Sequence, residues 1–332
     1  MPLSIHHYVT FLSASVFLVL GVSYSLTAWS SLPLNFTHLY AYLFHFDNSS
    51  IEQQILSSIR TPRLLTGMLI GANLAVSGIL MQGLTRNPLA SPSVLGMNSG
   101  AACFIALSSI GMHILGDVPS LLAAAFGGVV SGSLVIFLGG FFSARSNPLR
   151  LILAGIAINA FLIGITRAAV ILADDRAFSV ITWLAGSLAN ISWQEWHALW
   201  PSSVLGLLMA LYVAKNLNLL ALGNDVAVSL GINIGLTRCL ACAAIVLLSA
   251  SSVAVVGPIG FVGLIVPHIA RRLVSNNFLL LIPVSALLGS CLIAWADALS
   301  RGIAFPAETP VGVITALIGT PFFVFLTIRN KC

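Results

Sequence analysis

Apolar runs of about 20 residues, separated by short polar clusters, fill this chain from end to end. A helix needs about 20 apolar residues to cross the hydrocarbon core of a bilayer. The pattern predicts spans at about 9–29, 62–82, 93–112, 119–142, 150–172, 196–215, 239–257, 258–270, 278–298 and 308–328. The run at 258–270 is short for a crossing and reads as a tilted helix, or a broken one packed within protein. The longest polar stretches are about 30–61, 173–195 and 216–238. The fold expected is all-α and polytopic, a single membrane domain over residues 1–332 with about ten transmembrane helices.

One interruption stands out. In "QGLTRNPLASPSVLG", Gln82 to Gly96, an arginine, an asparagine and two prolines separate the second run from the third. Pro88 and Pro92 lack backbone donors and push the residues before them towards extended conformations. Gly83 is expected to end one helix, and the next to begin near Ser93.

Composition closes off a soluble particle. Of 332 residues, 58% are hydrophobic and 7% charged, where a soluble domain carries roughly 25% charged residues. The net charge of +5 is no nucleic-acid footprint, because the longest basic run is Arg271-Arg272. The bases distribute as loops of a membrane protein do. With both termini inside, the inner side collects Arg86, Arg145, Arg150, Lys215, Arg238, Arg271, Arg272, Arg329 and Lys331, and the outer side Arg60, Arg63, Arg167, Arg176 and Arg301. Asp225 is the one acid placed inside, and Trp183, Trp193, Trp196 and Trp200 fall where an outer interface lies. No Lys or Arg precedes Arg60, so the first run is expected to be a retained helix rather than a cleaved signal.

Candidate chemistry is sparse. Cys103, Cys239, Cys242, Cys291 and Cys332 are dispersed; the C-x-x-C at 239–242 has no second pair and no histidine cluster beside it, so no metal site is expected. Asp174-Asp175 lacks companions and reads as a solvated loop edge. Neither a hydrolase elbow nor paired catalytic carboxylates appear, and no cofactor is expected. Gly67, Gly71, Ala75 and Gly78 share one helical face, and Gly128 and Gly132 another; such strips let helices pack closely in lipid. Ionisable groups within spans are limited to Arg167 and Asp297, near outer ends, which leaves no relay for an ion-coupled carrier. The only lysines, Lys215 and Lys331, follow Ala214 and Asn330 rather than the glycine of a P-loop. Energy for active transport must then come from a separate ATPase. The inner segment "LGNDVAVSLGINIGLTR", Leu222 to Arg238, reads either as an ordinary interfacial loop or as two short helices for docking a cytosolic partner. In the second reading Asn224 or Asp225 caps the first, running from Val226 to Leu230, and Gly231 ends it.

Six motifs occur together: "RTPRLLTGMLIGANLAVSGILMQGLTRNPLASPSVLGMNSGAA" (60–102), "LILAGIAINAF" (151–161), "WLAGSLANISWQEW" (183–196), "NDVAVSLGI" (224–232), "GPIGFVGLIVPHIARRL" (257–273) and "ETPVGVITALIGTPFFVFL" (308–326). In this order, from about residue 55 onward, the chain resembles the permeases of iron-chelate and cobalamin ABC importers, the FecCD/BtuC family, and most of all those for ferric citrate. The resemblance implies the type II ABC importer fold in a bacterial inner membrane. It further implies a second permease subunit, identical or homologous, two cytosolic ATPase subunits and a periplasmic substrate-binding protein. A ferric chelate would be the cargo, possible alternatives being cobalamin or haem. It implies that Arg60, Arg63 and Arg301 receive carboxylates of the binding protein, and arginine suits bidentate carboxylate pairing. It implies that Asn87 and Leu89 belong to a cytoplasmic gate, and that Asp225, Ala227, Leu230 and Gly231 contact the ATPase. A second gate element falls in "SNPLRLILAG", where Pro148-Leu149 departs from the family's small hydroxylated residues. Asn159, Ser133 and Thr166 are candidate path-lining residues. The rival readings are an ion-coupled secondary transporter, a membrane enzyme and a channel or structural subunit.

Overall fold

The computed structural model describes residues 5–30, 32, 34–110, 118–140, 148–173 and 177–329. Asp117, Arg145, Asp174, Asp175, Arg176, Lys331 and Cys332 lie outside the described residues, as does the "SN" that opens the second gate element. The described chain is helical, without strands. In order the helices are α1 (Ile5–Thr27), α2 (Phe36–Phe44), α3 (Ile51–Thr85), α4 (Met97–Ser109), α5 (Ser120–Leu138), α6 (Pro148–Leu172) and α7 (Ala177–Leu184). There follow α8 (Trp193–Leu220), α9 (Asn224–Ser229), α10 (Ile234–Val256), α11 (Val262–Leu273), α12 (Phe278–Ile303) and α13 (Val311–Arg329).

Seven of these, α1, α3, α5, α6, α8, α10 and α12, are long and apolar enough to cross a membrane. α4, α11 and α13 occupy the other three expected spans. With 13 and 12 residues, α4 and α11 rise only about 20 and 18 Å, short of the roughly 30 Å hydrocarbon core. Of the two readings of the run at 258–270, the structure shows the broken helix: a half-helix, Val262–Leu273, preceded by irregular backbone. Such backbone survives at membrane depth only where protein satisfies its polar groups. Here the Ser187 amide donates to the Val256 carbonyl at 2.9 Å, and the Gly312 amide to the Gly186 carbonyl at 2.9 Å. The loops around 186 and 257 and the start of α13 thus close on one another.

α3 is the axis of the bundle. In its most apolar stretch 83% of residues are buried within the chain, against 17% in α6. α12, α10, α8 and α11 all pack on it. The small-residue strip explains the closeness: Gly71 lies against the backbone of Gly289 on α12, and Gly78 against that of Gly263 on α11. Gly128 and Gly132 likewise admit Ala250, Val246 and Met97. One buried polar knot crosses three helices: Asn73 Nδ2 donates to Ser203 Oγ at 2.7 Å and Ser252 Oγ at 3.1 Å. The polar stretch expected as an outer loop at 30–61 is largely helical, because α3 begins at Ile51 and passes through a π-turn at Leu56–Arg60. α6 stands apart, with most of its apolar side chains facing outward, Leu153, Ile156 and Phe161 among them.

Candidate functional sites at the two ends of the bundle axis

The two ends of α3 carry the candidate residues. From Arg60 to Arg86 the helix climbs about 39 Å at 1.5 Å per residue, so the two sites face opposite sides of a bilayer.

At the N-terminal end, Arg60 and Arg63 lie one turn apart and meet Arg301 from the end of α12. The resemblance implied that these three receive carboxylates of a binding protein. In the structure they are 9%, 5% and 3% exposed, and donors of each are engaged within the chain. Arg60 Nη1 reaches the Ser25 and Ala28 carbonyls at 3.4 and 3.2 Å, and Nη2 the Trp29 carbonyl at 2.9 Å. Arg301 Nη2 donates to the Ser25 carbonyl at 2.7 Å and Ser25 Oγ at 2.8 Å, and its Nε to the Asp297 carbonyl at 3.3 Å. The carbonyls of Ser25, Ala28 and Trp29 lie at and just past the end of α1. Helix C-termini leave carbonyls without intrahelical partners and carry partial negative charge, so two guanidiniums cap it. Arg63 takes the carboxylates. Its Nε donates to Asp297 Oδ1 at 2.9 Å, its Nη2 lies 2.8 Å from the same oxygen, and its Nη1 meets both oxygens of Glu308 at 2.9 Å. Asp297 also lies 3.1 Å from Arg301. Sequence reading passed over Asp297 and Glu308 as partners. The one local signal was the i, i+4 spacing of Asp297 and Arg301 on a single helix.

At the C-terminal end, α3 runs through Gly83 and stops at Thr85, two residues later than expected. Gly83 packs on the ring of Phe278. The stop is Arg86, in the left-handed conformation (φ 50°) usually left to glycine. The turn after it is self-contained. Asn87 Oδ1 accepts the Leu89 amide at 2.9 Å, and the Asn87 carbonyl accepts the Ala90 amide at 3.1 Å. Leu89 is left exposed at the tip. A short 3₁₀ turn, Pro92–Leu95, then leads through Gly96 (φ 74°) into α4, so the next helix starts at Met97 rather than Ser93.

The Arg86 side chain leaves this turn and ends on another segment. Its Nη2 donates to the Leu220 carbonyl at 2.7 Å and to Asn224 Oδ1 at 2.9 Å. Leu220 closes α8, and Asn224 opens α9. Asn224 therefore serves as an acceptor for Arg86, while Gly223 (φ 128°) takes the cap position. Gly231 (φ 82°) follows the end of α9, as expected. No second short helix precedes Arg238. α10 already begins at Ile234, with the Asn233 side chain accepting the Leu236 amide at 3.0 Å. Of the expected contact residues on α9, Asp225, Leu230 and Gly231 are exposed, but Ala227 is fully buried. Ala227 seats the helix on its own chain and is withdrawn from the accessible set. Val226, Val228 and Leu222 are exposed beside Leu230, an apolar surface that sequence reading had not singled out.

The path-lining candidates divide. Asn159 accepts from Ser99 Oγ at 2.7 Å, and Thr166 donates to the Leu162 carbonyl at 2.8 Å, so both are satisfied within the bundle. Ser133 lines a cleft of about 410 Å3 with Met209, Cys239 and Val246. A wider concavity of about 740 Å3 opens where α4, α7, the 257–261 segment and α13 meet, with Asn98 and Thr320 as its polar side chains. Among the described residues no cluster of histidine, cysteine and carboxylate side chains is placed to hold a metal.

Residues 17–329 match the FecCD transport family. The chain is 40% identical to the Fe(3+)-citrate import system permease protein YfmD of Bacillus subtilis (strain 168), over 97% of this chain and 95% of that protein. It is 41% identical to the Fe(3+) dicitrate transport system permease protein FecC of Escherichia coli (strain K12), over 92% of each. A solved metal-chelate type ABC transporter in an inward-facing conformation superposes with a TM-score of 0.81 at 29% identity, covering 97% of this chain and 99% of that one. This chain is therefore a membrane permease belonging to the FecCD transport family.

Proposed function

We propose that this permease carries a ferric chelate, ferric citrate first among them, through a bacterial inner membrane as one of two permease subunits driven by two cytosolic ATPases. Both termini lie in the cytoplasm, which puts α9 inside and the arginine cluster outside. α9 docks on the ATPase through Asp225, Val226, Val228, Leu230 and Gly231. The turn with Asn87 and Leu89 forms part of the inner gate, and Arg60, Arg63 and Arg301 form the outer surface met by a periplasmic binding protein. The concavity with Asn98 and Thr320 is a wall of the path, and its mostly apolar lining suits passage of a bulky chelate without tight retention.

The observation that carries this reading is the Arg86 bridge. A gate turn and a partner-facing helix are held to each other by one side chain, so motion imposed on α9 reaches the turn directly. An ion-coupled carrier would have no use for such a link.

The test is uptake of radiolabelled ferric citrate by a strain lacking this chain. The wild-type chain is expected to restore it. A chain with Val228→Asp, which sets a charge in the exposed apolar surface of α9, is expected to restore less than about a tenth, since burying an unpaired charge at an interface costs several kcal/mol. Uptake that continues with the partner ATPase inactivated would remove the reading in favour of a self-powered carrier.

A further inference from the structure

The outer cluster poses a problem for any docking carboxylate. All three guanidiniums already spend their donors on groups of this chain. An incoming acid must displace something. Most of what it meets is fixed: backbone carbonyls at the end of α1 and Asp297, whose side chain is 4% exposed. Glu308 differs, because its side chain is 37% exposed and it sits on the connection between α12 and α13 rather than within a helix. It is the exposed acidic partner in the cluster, and both its oxygens lie 2.9 Å from one Arg63 nitrogen, Nη1.

We propose that Glu308 is an internal stand-in for a partner's carboxylate: it occupies Arg63 while the permease is undocked, and an acidic side chain arriving from the extracytoplasmic side displaces it. This rests on the docking role given to the outer arginines above. The exchange swaps one carboxylate for another, so Arg63 stays neutralised throughout and no buried charge is stranded. It also has a mechanical result. Glu308 lies three residues before α13, which starts at Val311, and the start of α13 is tied to the 186 loop through the Gly312 amide. Releasing Glu308 removes the side-chain tether between this connection and α3. Docking thereby loosens the entrance of the helix that carries Thr320 and Pro321 into the wide concavity.

The experiment measures affinity of the complete importer, in lipid nanodiscs, for its own substrate-binding protein. Glu308→Gln keeps the shape and removes the competing charge, so docking is expected to tighten by about two- to fivefold, the range that a partly exposed ion pair supports. Glu308→Asp keeps the charge on a shorter arm and is expected to fall between that variant and wild type. In parallel, phenylglyoxal modification of Arg63, read by mass spectrometry on the undocked importer, is expected to rise in Glu308→Gln. Equal or weaker docking by both variants, with Arg63 still unreactive, overturns the stand-in role alone. Docking that ignores Arg63→Gln as well sinks the docking role of the cluster, and this proposal with it.

Discussion

Replacing Gly78 with leucine is expected to abolish the folded permease. Position 78 lies where α3 meets the half-helix α11, and a Cβ there would enter the backbone of Gly263. Backbone cannot swing aside as a side chain does, so the two helices must separate. Overpacking a tight core costs typically 1–3 kcal/mol and occasionally more; with a whole leucine side chain against main chain, the upper end, about 3 kcal/mol, is the expected minimum. α3 packs on α8, α10, α11 and α12, so the displacement propagates through the bundle. The check is the yield of monodisperse protein after detergent extraction, with its melting temperature. Gly164 on α6 serves as the control, since nothing lies within 4 Å of an added Cβ there. Gly164→Ala is expected to be neutral or stabilising by up to about 1 kcal/mol, as alanine is the better helix former. Equal losses at both positions would show that close approach at Gly78 does not account for the effect.

Arg86→Gly is expected to uncouple ATP hydrolysis from transport while leaving the fold intact. The choice of glycine separates two roles of the residue. The backbone at 86 is left-handed, which glycine adopts without strain, so stability is expected to hold or rise. What is lost is the side chain that joins the turn at 87–90 to Leu220 and Asn224. A charge-assisted hydrogen bond contributes roughly 1.5–3 kcal/mol. Taking the lower end for a bridge that is partly solvated, about 1.5 kcal/mol of coupling corresponds to about a tenfold rise in ATP consumed per chelate moved. Arg86→Lys keeps the charge but not the planar fork, and is expected to recover part of the coupling. The readout is that ratio in vesicles holding the whole importer, which a purely structural residue would not shift. An unchanged ratio in Arg86→Gly would remove the bridge from the mechanism.

How far such roles can be read in one dimension depends on what sets them. The long helices were legible because lipid imposes a length on every apolar run, and α5, α6, α10 and α12 lie close to where the pattern puts them. The start of α3 was not, because Gln53, Gln54, Ser57 and Ser58 look like loop; the helix continues there because α1 and α2 pack beside it. The half-helix at 262–273 was half legible: its shortness could be counted, but its seat against Gly78 could not. At the sites, Arg60, Arg63 and Arg301 were read as a group, but their contacts within the chain were not. Their partners come from positions 25–29, 297 and 308, and sequence distance hides such meetings.

Hydropathy and small-residue strips were therefore determined by the sequence alone, since each is a local demand of lipid or of close helix packing. That gave a many-spanned helical chain, the turn after its second span and a short helix near 226–230. Which polar groups meet was decided only by tertiary structure. The burial of Ala227, the bridge from Arg86 to the foot of α8, and the capture of Arg63 by Asp297 and Glu308 depend on how helices distant in sequence are set side by side. In a low-dielectric bundle a buried charge or donor must find a partner wherever packing brings one, and packing is a property of the whole chain rather than of any stretch of it.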